Sequence, residues 1–327
     1  MIDKLLGAFY GFVVGDALGV PVEFSSREDL KYNPVLEMRE YGTHNVPKGI
    51  WSDDTSMVLA TMDSILEKNG IDYNDIMDRF CNWVVKSEYT ANGVFFDIGI
   101  ATSSSLKRYM NGVSPLKCGG TDDRDNGNGS LMRILPVSLY LFYINSNDDD
   151  SALYVRNVSS LTHAHEISCL GCQIYTDFVK NLLNNSSKKS AFLKLRNNLH
   201  YYKKYYSDET ISYYKRLFND DFASISENDI SSSGFVVNTL EASIWCVLNC
   251  NSFSDTVLKS VNLGNDTDTV GAITGSLAGI IYGKKNINNN WLNEVKNKKY
   301  LDSIINKFVS YLNSIKSNCN FSQQYYR

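Results

Sequence analysis

The chain has 327 residues, with 32 lysines and arginines against 36 aspartates and glutamates, for a formal net charge of −4. This slight acidity argues against a dedicated nucleic-acid binder, which usually carries a strong basic excess. With 43% apolar and 21% charged residues, the composition excludes a wholly disordered chain, a collagen and a coiled coil.

Helical periodicity dominates the chain. In most segments the apolar residues recur at spacings of three and four, as at Leu240, Ile244 and Val247, which places them on one helical face. The predicted helices span residues 2–19, 54–68, 72–86, 98–111, 130–145, 150–162, 165–184, 189–206, 208–219, 236–250, 253–263, 267–283 and 300–317. One short alternating segment, Val35–Arg39, resembles a strand. The sequence therefore predicts an all-α protein with a single domain over residues 1–327.

Glycine recurs at every fourth position in the first and twelfth predicted helices. These glycines are Gly7, Gly11, Gly15 and Gly19 in the first, and Gly271, Gly275, Gly279 and Gly283 in the twelfth. Each set lines one helical face. Because a glycine inside a helix costs up to about 1 kcal/mol relative to alanine, we expect another helix to approach each backbone closely. The two helices could pack on each other.

Two acidic clusters stand at the starts of predicted helices, at 51–57 (WSDDTSM) and 264–271 (GNDTDTVG). Helix capping alone would explain one such group per helix. Each cluster has two carboxylates and opens onto an apolar helix, so the charges would repel one another without a cation. Oxygen ligands without histidine or cysteine favour Mg²⁺ or Mn²⁺. Four carboxylates, with hydroxyls from Ser52, Thr55 and Thr269, could hold two ions about 4 Å apart.

The stretch 184–232 is rich in asparagine, serine, lysine and tyrosine. We interpret it as a variable helical insertion on the periphery of the domain. Its tyrosine pairs and lysines within 189–218 could bind an anionic group, but a solvated amphipathic helix is the simpler interpretation.

The cysteines and the N-terminus bear on the compartment. Seven cysteines, an odd number in a long chain, predict buried, reduced thiols in a cytoplasmic protein. The pair Cys169 and Cys172 has no second pair to complete a zinc site. The first residues lack the basic region and cleavage site of a signal peptide. We expect no membrane partner, because no apolar run reaches the roughly 18 residues that cross a bilayer, Val270–Tyr282 being the longest candidate.

Six short motifs follow one another along the chain. They are GAFYG through GDALG at 7–19, SDDT at 52–55, GNGSLMR at 127–133, THAH at 162–165, LEASIW at 240–245 and GNDTDTVGA at 264–272. In this order they resemble the ADP-ribosylglycohydrolase family, which includes dinitrogenase-reductase-activating glycohydrolase and ADP-ribosylarginine hydrolase. The resemblance covers most of the chain. It implies a compact orthogonal helical bundle with a dinuclear Mg²⁺ or Mn²⁺ centre, and hydrolysis of the glycosidic bond between ADP-ribose and an acceptor.

The resemblance also implies a set of metal ligands, two of which, Asp54 and Asp268, would take part in catalysis. The ligands are Ser52, Asp53, Asp54, Asp266, Asp268 and Thr269. Ser52 departs slightly from the family, where threonine is common, but retains the oxygen ligand. The metals would bind the ribose diol and the attacking water, and would stabilise an oxocarbenium-like transition state.

Two further carboxylates match family residues that would manage protons. Glu23 matches a loop glutamate that closes over the site, although an ordinary surface acid is the alternative. Asp97 matches an aspartate near the distal ribose, and its alternative role is an N-cap for the following helix. Asp16, inside the first helix, is interpreted as a structural hydrogen-bonding group that orients the site.

The substrate-binding residues follow from the same resemblance. Glycines let backbone N–H groups approach a phosphate at a helix start, so the loop before the fifth predicted helix becomes the expected diphosphate cradle. Its residues are Gly127, Asn128, Gly129 and Ser130. His163 matches a residue that contacts phosphate or ribose, and Phe235 stands where some relatives have a tyrosine that stacks on adenine. We expect Arg133 to pair with a carboxylate in the core.

The preferred substrate is ADP-ribosylated arginine of a protein, acted on by a monomer. The same chemistry on ADP-ribosyl-serine, on nucleic-acid-linked ADP-ribose or on an ADP-ribose-containing small molecule stays open. A magnesium-dependent lyase of the terpene synthase type is disfavoured, because Met57 and Ile273 replace acids in both of its motifs. A non-catalytic, crystallin-like member is disfavoured by the intact acidic residues.

Overall fold

The computed structural model describes the backbone of residues 1–184 and 187–324, and side chains as far as residue 315. Within these ranges the chain forms α-helices joined by loops and short 3₁₀ turns, without a β-strand. The helices are α1 (Ile2–Gly19), α2 (Arg27–Tyr32), α3 (Asp53–Lys68), α4 (Tyr73–Lys86), α5 (Ile100–Met110), α6 (Leu135–Tyr143), α7 (Asp148–Ser160), α8 (Glu166–Asn184), α9 (Lys188–Asn197), α10 (Leu199–Tyr202), α11 (Asp208–Tyr213), α12 (Val236–Asn249), α13 (Phe253–Val261), α14 (Thr267–Tyr282), α15 (Asn289–Glu294) and α16 (Lys298–Gln324). The all-α prediction is confirmed.

The helix boundaries differ from the predictions in a few places. The predicted helix 189–206 is divided into α9 and α10, and the helix predicted from residue 130 begins at Leu135. Pro136 lies in the first turn of α6, where its missing N–H costs nothing. The predicted strand Val35–Arg39 is wrong, because this segment is irregular. The backbone of Val35 is satisfied by one side chain instead, since Asn262 accepts from its N–H (2.8 Å) and donates to its carbonyl (2.9 Å).

The two glycine-bearing helices, α1 and α14, pack on each other in antiparallel orientation, which confirms the expectation. A Cβ atom on the glycines of α1 would lie only 2.0–2.2 Å from the carbonyl oxygen of the facing glycine, in the pairs Gly7–Gly279, Gly11–Gly275 and Gly15–Gly271. The bare backbones therefore allow an approach that no side chain permits. This packing places the end of α1 beside the start of α14, where the second acidic cluster lies.

One helical stretch, residues 2–22, is long and apolar enough to cross a membrane by length and composition. The expectation that no segment reaches this length is therefore wrong. The charged Asp16 interrupts the apolar run in the sequence and conceals its length. In the folded chain 94% of the 18-residue apolar window within this stretch is buried, as expected for a core helix that packs on α14.

The tyrosine-rich part of the insertion does not form a solvated face. Tyr202 and Tyr214 are fully buried. The Tyr202 hydroxyl donates to Asp177 at 2.9 Å, and the Tyr214 hydroxyl donates to the carbonyl of Ile167 at 2.7 Å. The interpretation as a solvated amphipathic helix is therefore wrong for these residues, which fasten the segment to α8. The single-domain organisation stays a prediction.

Candidate active site

Asp16 of α1 organises the first acidic cluster. Its buried carboxylate accepts hydrogen bonds from the N–H groups of Ser52 (3.0 Å) and Thr55 (3.1 Å) and from the Thr55 hydroxyl (2.6 Å). The Ser52 side chain caps α3 by accepting from the N–H of Asp54. Because Asp16 and Ser52 satisfy the helix start, the carboxylates of Asp53 and Asp54 are not used as caps. Capping alone therefore does not explain the cluster.

A hydrogen bond joins the two acidic clusters across α3 and α14. The Thr269 hydroxyl donates to Oδ2 of Asp54 at 3.1 Å, and the Ser52 hydroxyl donates to the same oxygen at 3.1 Å. Oδ1 of Asp54 is buried, and no described residue forms a hydrogen bond with it. The metal ligands that the family resemblance implies on α3 and on α14 thus lie next to one another.

The second cluster faces Asn128 of the glycine loop (residues 127–130) and the loop residue Glu23. Asn128 donates to Oδ2 of Asp266 at 2.9 Å, while Oδ1 of Asp266 is buried with no hydrogen-bond partner in the described part of the chain. Asp268 accepts from the N–H of Thr269 at 2.9 Å. Glu23, Asp266 and Asp268 each bring a carboxylate oxygen within 4.8 Å of the others.

These carboxylates form an electrostatically strained group. Burial raises the pKa of Asp53, Asp54 and Asp268 well above the usual aspartate range, and neighbouring carboxylates raise it further. Two buried oxygens, on Asp54 and Asp266, lack a partner among the residues described. A hard divalent cation would pair with such oxygens and remove the repulsion. The chain's residues therefore fit a metal site.

Glu23 and Asp97 complete the acidic wall of the site, which also includes Asp53, Asp266 and Asp268. Glu23 is only 6% exposed, which excludes an ordinary surface acid. Burial raises its pKa to about 7, aided by Asp97 and Asp266 and opposed by a hydrogen bond from His44. Asp97 does not cap α5, since Gly99 is the N-cap residue there. Its φ of 56° is a left-handed conformation that aspartate tolerates better than most residues.

A cavity of about 260 Å³ brings most of the predicted residues together. Its predicted lining residues are Glu23, Asp53, Asp97, Gly127, Asn128, Gly129, His163, Asp266, Asp268 and Thr269. Others were not predicted, namely Gly99, Ile100, Ala101, Thr102, Arg124, Met132 and Gly234. Of these, Arg124 brings a positive charge to the otherwise acidic cavity. Arg124 lies in the glycine-containing segment 118–129, and no local sequence pattern there predicts that its side chain reaches the cavity.

His163 lies beneath the glycine loop. A Cβ atom at Gly129 would lie 2.8 Å from Cε1 of His163, so only glycine lets the loop pass this closely. Burial, together with Arg133, lowers the pKa of His163 to about 3, so the ring is neutral at neutral pH. Arg133 donates to the Thr162 hydroxyl at 2.8 Å, and that hydroxyl lies 2.8 Å from Nδ1 of His163. Because Arg133 occupies the Thr162 oxygen as a donor, the Thr162 hydroxyl donates to Nδ1, which favours the ring proton on Nε2. A Cβ atom on Gly127 would lie 3.7 Å from this Nε2.

Four predicted site residues lie outside the cavity lining, namely Ser52, Asp54, Ser130 and Phe235, and Arg133 makes contacts other than the expected one. The Ser130 hydroxyl accepts from Ser159 (2.9 Å) inside the core. Phe235 packs edge-on against Tyr213, with ring centroids 6.3 Å apart. The expected carboxylate partner of Arg133 is wrong. Among the described residues, its fully buried guanidinium donates to the carbonyl of Val158 and to the hydroxyl of Thr162, and it lies over the ring of Phe80.

Comparison with known proteins points to one family. A family model described as ADP-ribosylglycohydrolase matches residues 1–317. ADP-ribosylarginine hydrolase Tri1 of Serratia proteamaculans is 31% identical over 310 residues, covering 93% of this chain and 78% of the relative. The ADP-ribosyl-[dinitrogen reductase] glycohydrolase of Rhodospirillum rubrum is 28% identical, with 90% of this chain and 91% of the relative covered. ADP-ribosylhydrolase ARH3 of Homo sapiens is 25% identical, with 89% and 88% covered.

A solved structure supports the same relationship. The chain superimposes on an ADP-ribosylglycohydrolase-related protein complex with a TM-score of 0.79 and 29% sequence identity. The match covers 95% of this chain and 98% of the other chain. The helical architecture around the cavity is thus shared with that structure.

Proposed function

The chain belongs to the ADP-ribosylglycohydrolase family, and from this premise we propose that it hydrolyses the bond joining ADP-ribose to an arginine of an acceptor protein. The observation that supports this hydrolysis most directly is the cavity in which Glu23, Asp266 and Asp268 face the glycine loop. The arginine acceptor is supported by the names of the relatives from Serratia proteamaculans and Pseudomonas putida, both ADP-ribosylarginine hydrolases.

The acidic residues would hold two divalent cations, Mg²⁺ or Mn²⁺. The holding residues are Ser52, Asp53, Asp54, Asp266, Asp268 and Thr269. Bound there, such ions would polarise a ribose hydroxyl and a water molecule and stabilise charge at the reacting carbon. The unpartnered oxygens of Asp54 and Asp266 support this assignment.

The remaining residues bind the substrate and move protons. Backbone N–H groups of the glycine loop, the Arg124 guanidinium and a neutral His163 would bind the diphosphate. Glu23 lies beside the metal-binding carboxylates with a pKa of about 7. It is therefore suited to take a proton from the attacking water or to return one to the leaving group near neutral pH. Asp97, on the same wall, would bind the distal ribose.

We also propose that the enzyme is a cytoplasmic monomer. The cysteines Cys81, Cys118, Cys169, Cys172, Cys246 and Cys250 are all free thiols, which is usual in a reducing compartment. Gel filtration with light scattering tests the oligomeric state.

A release assay tests the proposed function. Purified protein with Mg²⁺ or Mn²⁺ is incubated with arginine-linked, serine-linked and nucleic-acid-linked ADP-ribose, and free ADP-ribose is measured. We expect release from the arginine substrate, loss of activity with EDTA, and recovery when metal is added back. Preferred release from another substrate would reassign the acceptor. Release from none would contradict the proposal.

A further inference from the structure

His44 lies in a tight turn outside the helices, seven residues before the first acidic cluster. The N–H of Tyr41 donates to the carbonyl of Val46 (2.8 Å), and the N–H of Asn45 donates to that of Gly42 (3.0 Å). Asn45 has a φ of 50°, a left-handed conformation common for asparagine in turns. The turn therefore has a defined shape that presents His44 at its tip.

This turn is fastened to the loop that carries Glu23. Thr43 donates its N–H to the carbonyl of Pro21 (3.1 Å) and its hydroxyl to the carbonyl of Glu23 (2.6 Å). A Cβ atom at Gly42 would lie 1.7 Å from the Pro21 carbonyl oxygen, so the two backbones touch. The turn and the Glu23 loop thus form one unit.

The His44 ring lies between this unit and the segment that carries Asp97. Its Nε2 is hydrogen-bonded to the Glu23 carboxylate, and its ring centroid lies 5.3 Å from that of Phe96 and 6.2 Å from that of Phe24. Glu23, His44 and Asp97 each bring a polar atom within 4.8 Å of the others. The imidazole is therefore fixed by both a polar and an aromatic contact.

We propose that His44 is a positioning residue that holds the Glu23 carboxylate turned into the cavity, facing Asp266 and Asp268. A glutamate side chain has three rotatable bonds, and the negative charges of Asp97 and Asp266 repel it. Without the His44 hydrogen bond, Glu23 would turn away from the acidic wall and leave the reacting centre. The catalytic consequence rests on the proposed function, whereas the contact itself does not.

Steady-state kinetics of paired variants test the catalytic consequence. We expect His44→Leu to lower kcat about 10- to 100-fold, as for loss of a group that orients a reacting residue, with little change in KM. His44→Gln, whose amide can donate to Glu23, should recover most of the activity. In a Glu23→Ala background, His44→Leu should change kcat by less than about twofold, because the two residues act as a unit. His200→Leu, an exposed histidine on α10, is the control and should match the wild type.

Side-chain NMR of ¹⁵N-labelled histidines tests the contact without any activity. The chain has four histidines, and His44→Leu assigns the relevant signals by their loss. Glu23→Gln should shift the His44 nitrogen signals and leave those of His165 and His200 in place. Unchanged His44 signals, or an equal loss of kcat from His44→Leu with and without Glu23, would overturn the inference. If the wild type releases no ADP-ribose, the proposed function fails while the NMR result still judges the contact.

Discussion

Specific neighbours orient several of the carboxylates in the two acidic clusters. Asn128 holds Asp266, Thr269 holds Asp54, and Asp16 holds the backbone from which Asp53 and Asp54 project. These contacts satisfy one oxygen of Asp54 and one of Asp266, and the other oxygen of each is buried with no partner among the residues that the structure describes. The neighbours thus orient the acids without neutralising them.

Removal of one acid should separate activity from stability. We expect Asp53→Ala or Asp268→Ala to lower kcat by roughly 10²–10³-fold or more, on the scale of losing one group that stabilises transition-state charge. The metal-free variants should melt at or above the wild-type temperature, because burial and repulsion raise the pKa of both acids. Kinetics and calorimetry measure the two effects. The exposed Asp221 provides the control Asp221→Ala, and full activity of either cavity variant would contradict a metal-dependent site.

The site residues that the sequence predicts and those that it does not predict lie in different kinds of segment. Asp53, Asp54, Asp266 and Asp268 are packed into two short motifs at helix starts, so local spacing predicts them. His44, which contacts the lining residue Glu23, lies in a turn, and Arg124 lies in a short 3₁₀ turn between loops. Their position depends on how distant loops pack, and no local pattern encodes that.

At the scale of helices, long periodic segments were predictable and short ones were not. The glycine spacing gave α1, α14 and their mutual packing, because four-residue periodicity has one structural reading in a buried helix. The six-residue helices α2 and α15 span under two turns, too few for a periodic signal. Their positions are set by tertiary contacts, such as those of Arg27 with the carbonyls of Leu263, Glu227 and Ile230.

The glycine contact between α1 and α14 should be intolerant of a single methyl group. A Cβ atom at residue 15 would lie 2.0 Å from the carbonyl oxygen of Gly271, so we expect Gly15→Ala to cost at least about 1–3 kcal/mol of unfolding free energy. Urea unfolding measures this. Gly70→Ala is the control, because the nearest atom to its Cβ, the Tyr140 hydroxyl oxygen, lies at an ordinary 3.5 Å. Equal stability of the two variants would contradict the close packing.

For the whole molecule, a rise in pH should lower the free energy of unfolding of the metal-free protein and increase the stabilisation that metal binding adds. The pKa of Asp16 is raised to about 6 and that of Glu23 to about 7, mainly by burial. The metal-free folded state therefore holds protons that the unfolded chain has already released, and its stability should fall as pH rises through about 4 to 7. Metal binding requires ionised carboxylates, so the stabilisation by Mg²⁺ or Mn²⁺ should grow over the same range.

Thermal unfolding in EDTA and in excess metal, at several pH values, measures both trends. We expect the metal-induced rise in Tm to be larger at the alkaline end and absent from Asp268→Ala. A metal-induced shift that is the same at every pH would contradict the coupling between ionisation and metal binding.

The pairing of α1 with α14 also bears on how the protein is made. These helices lie about 250 residues apart in the chain, yet the second is the surface against which the first is buried. During synthesis, a ribosome must therefore translate as far as residue 282 before α1 can find its partner. Until then a stretch apolar enough to enter a lipid bilayer stays without its cover, a condition that favours aggregation and calls for chaperones. The two acidic clusters cannot meet in a nascent chain that lacks α14, so a metal site that uses both clusters would form only at the last stage of folding.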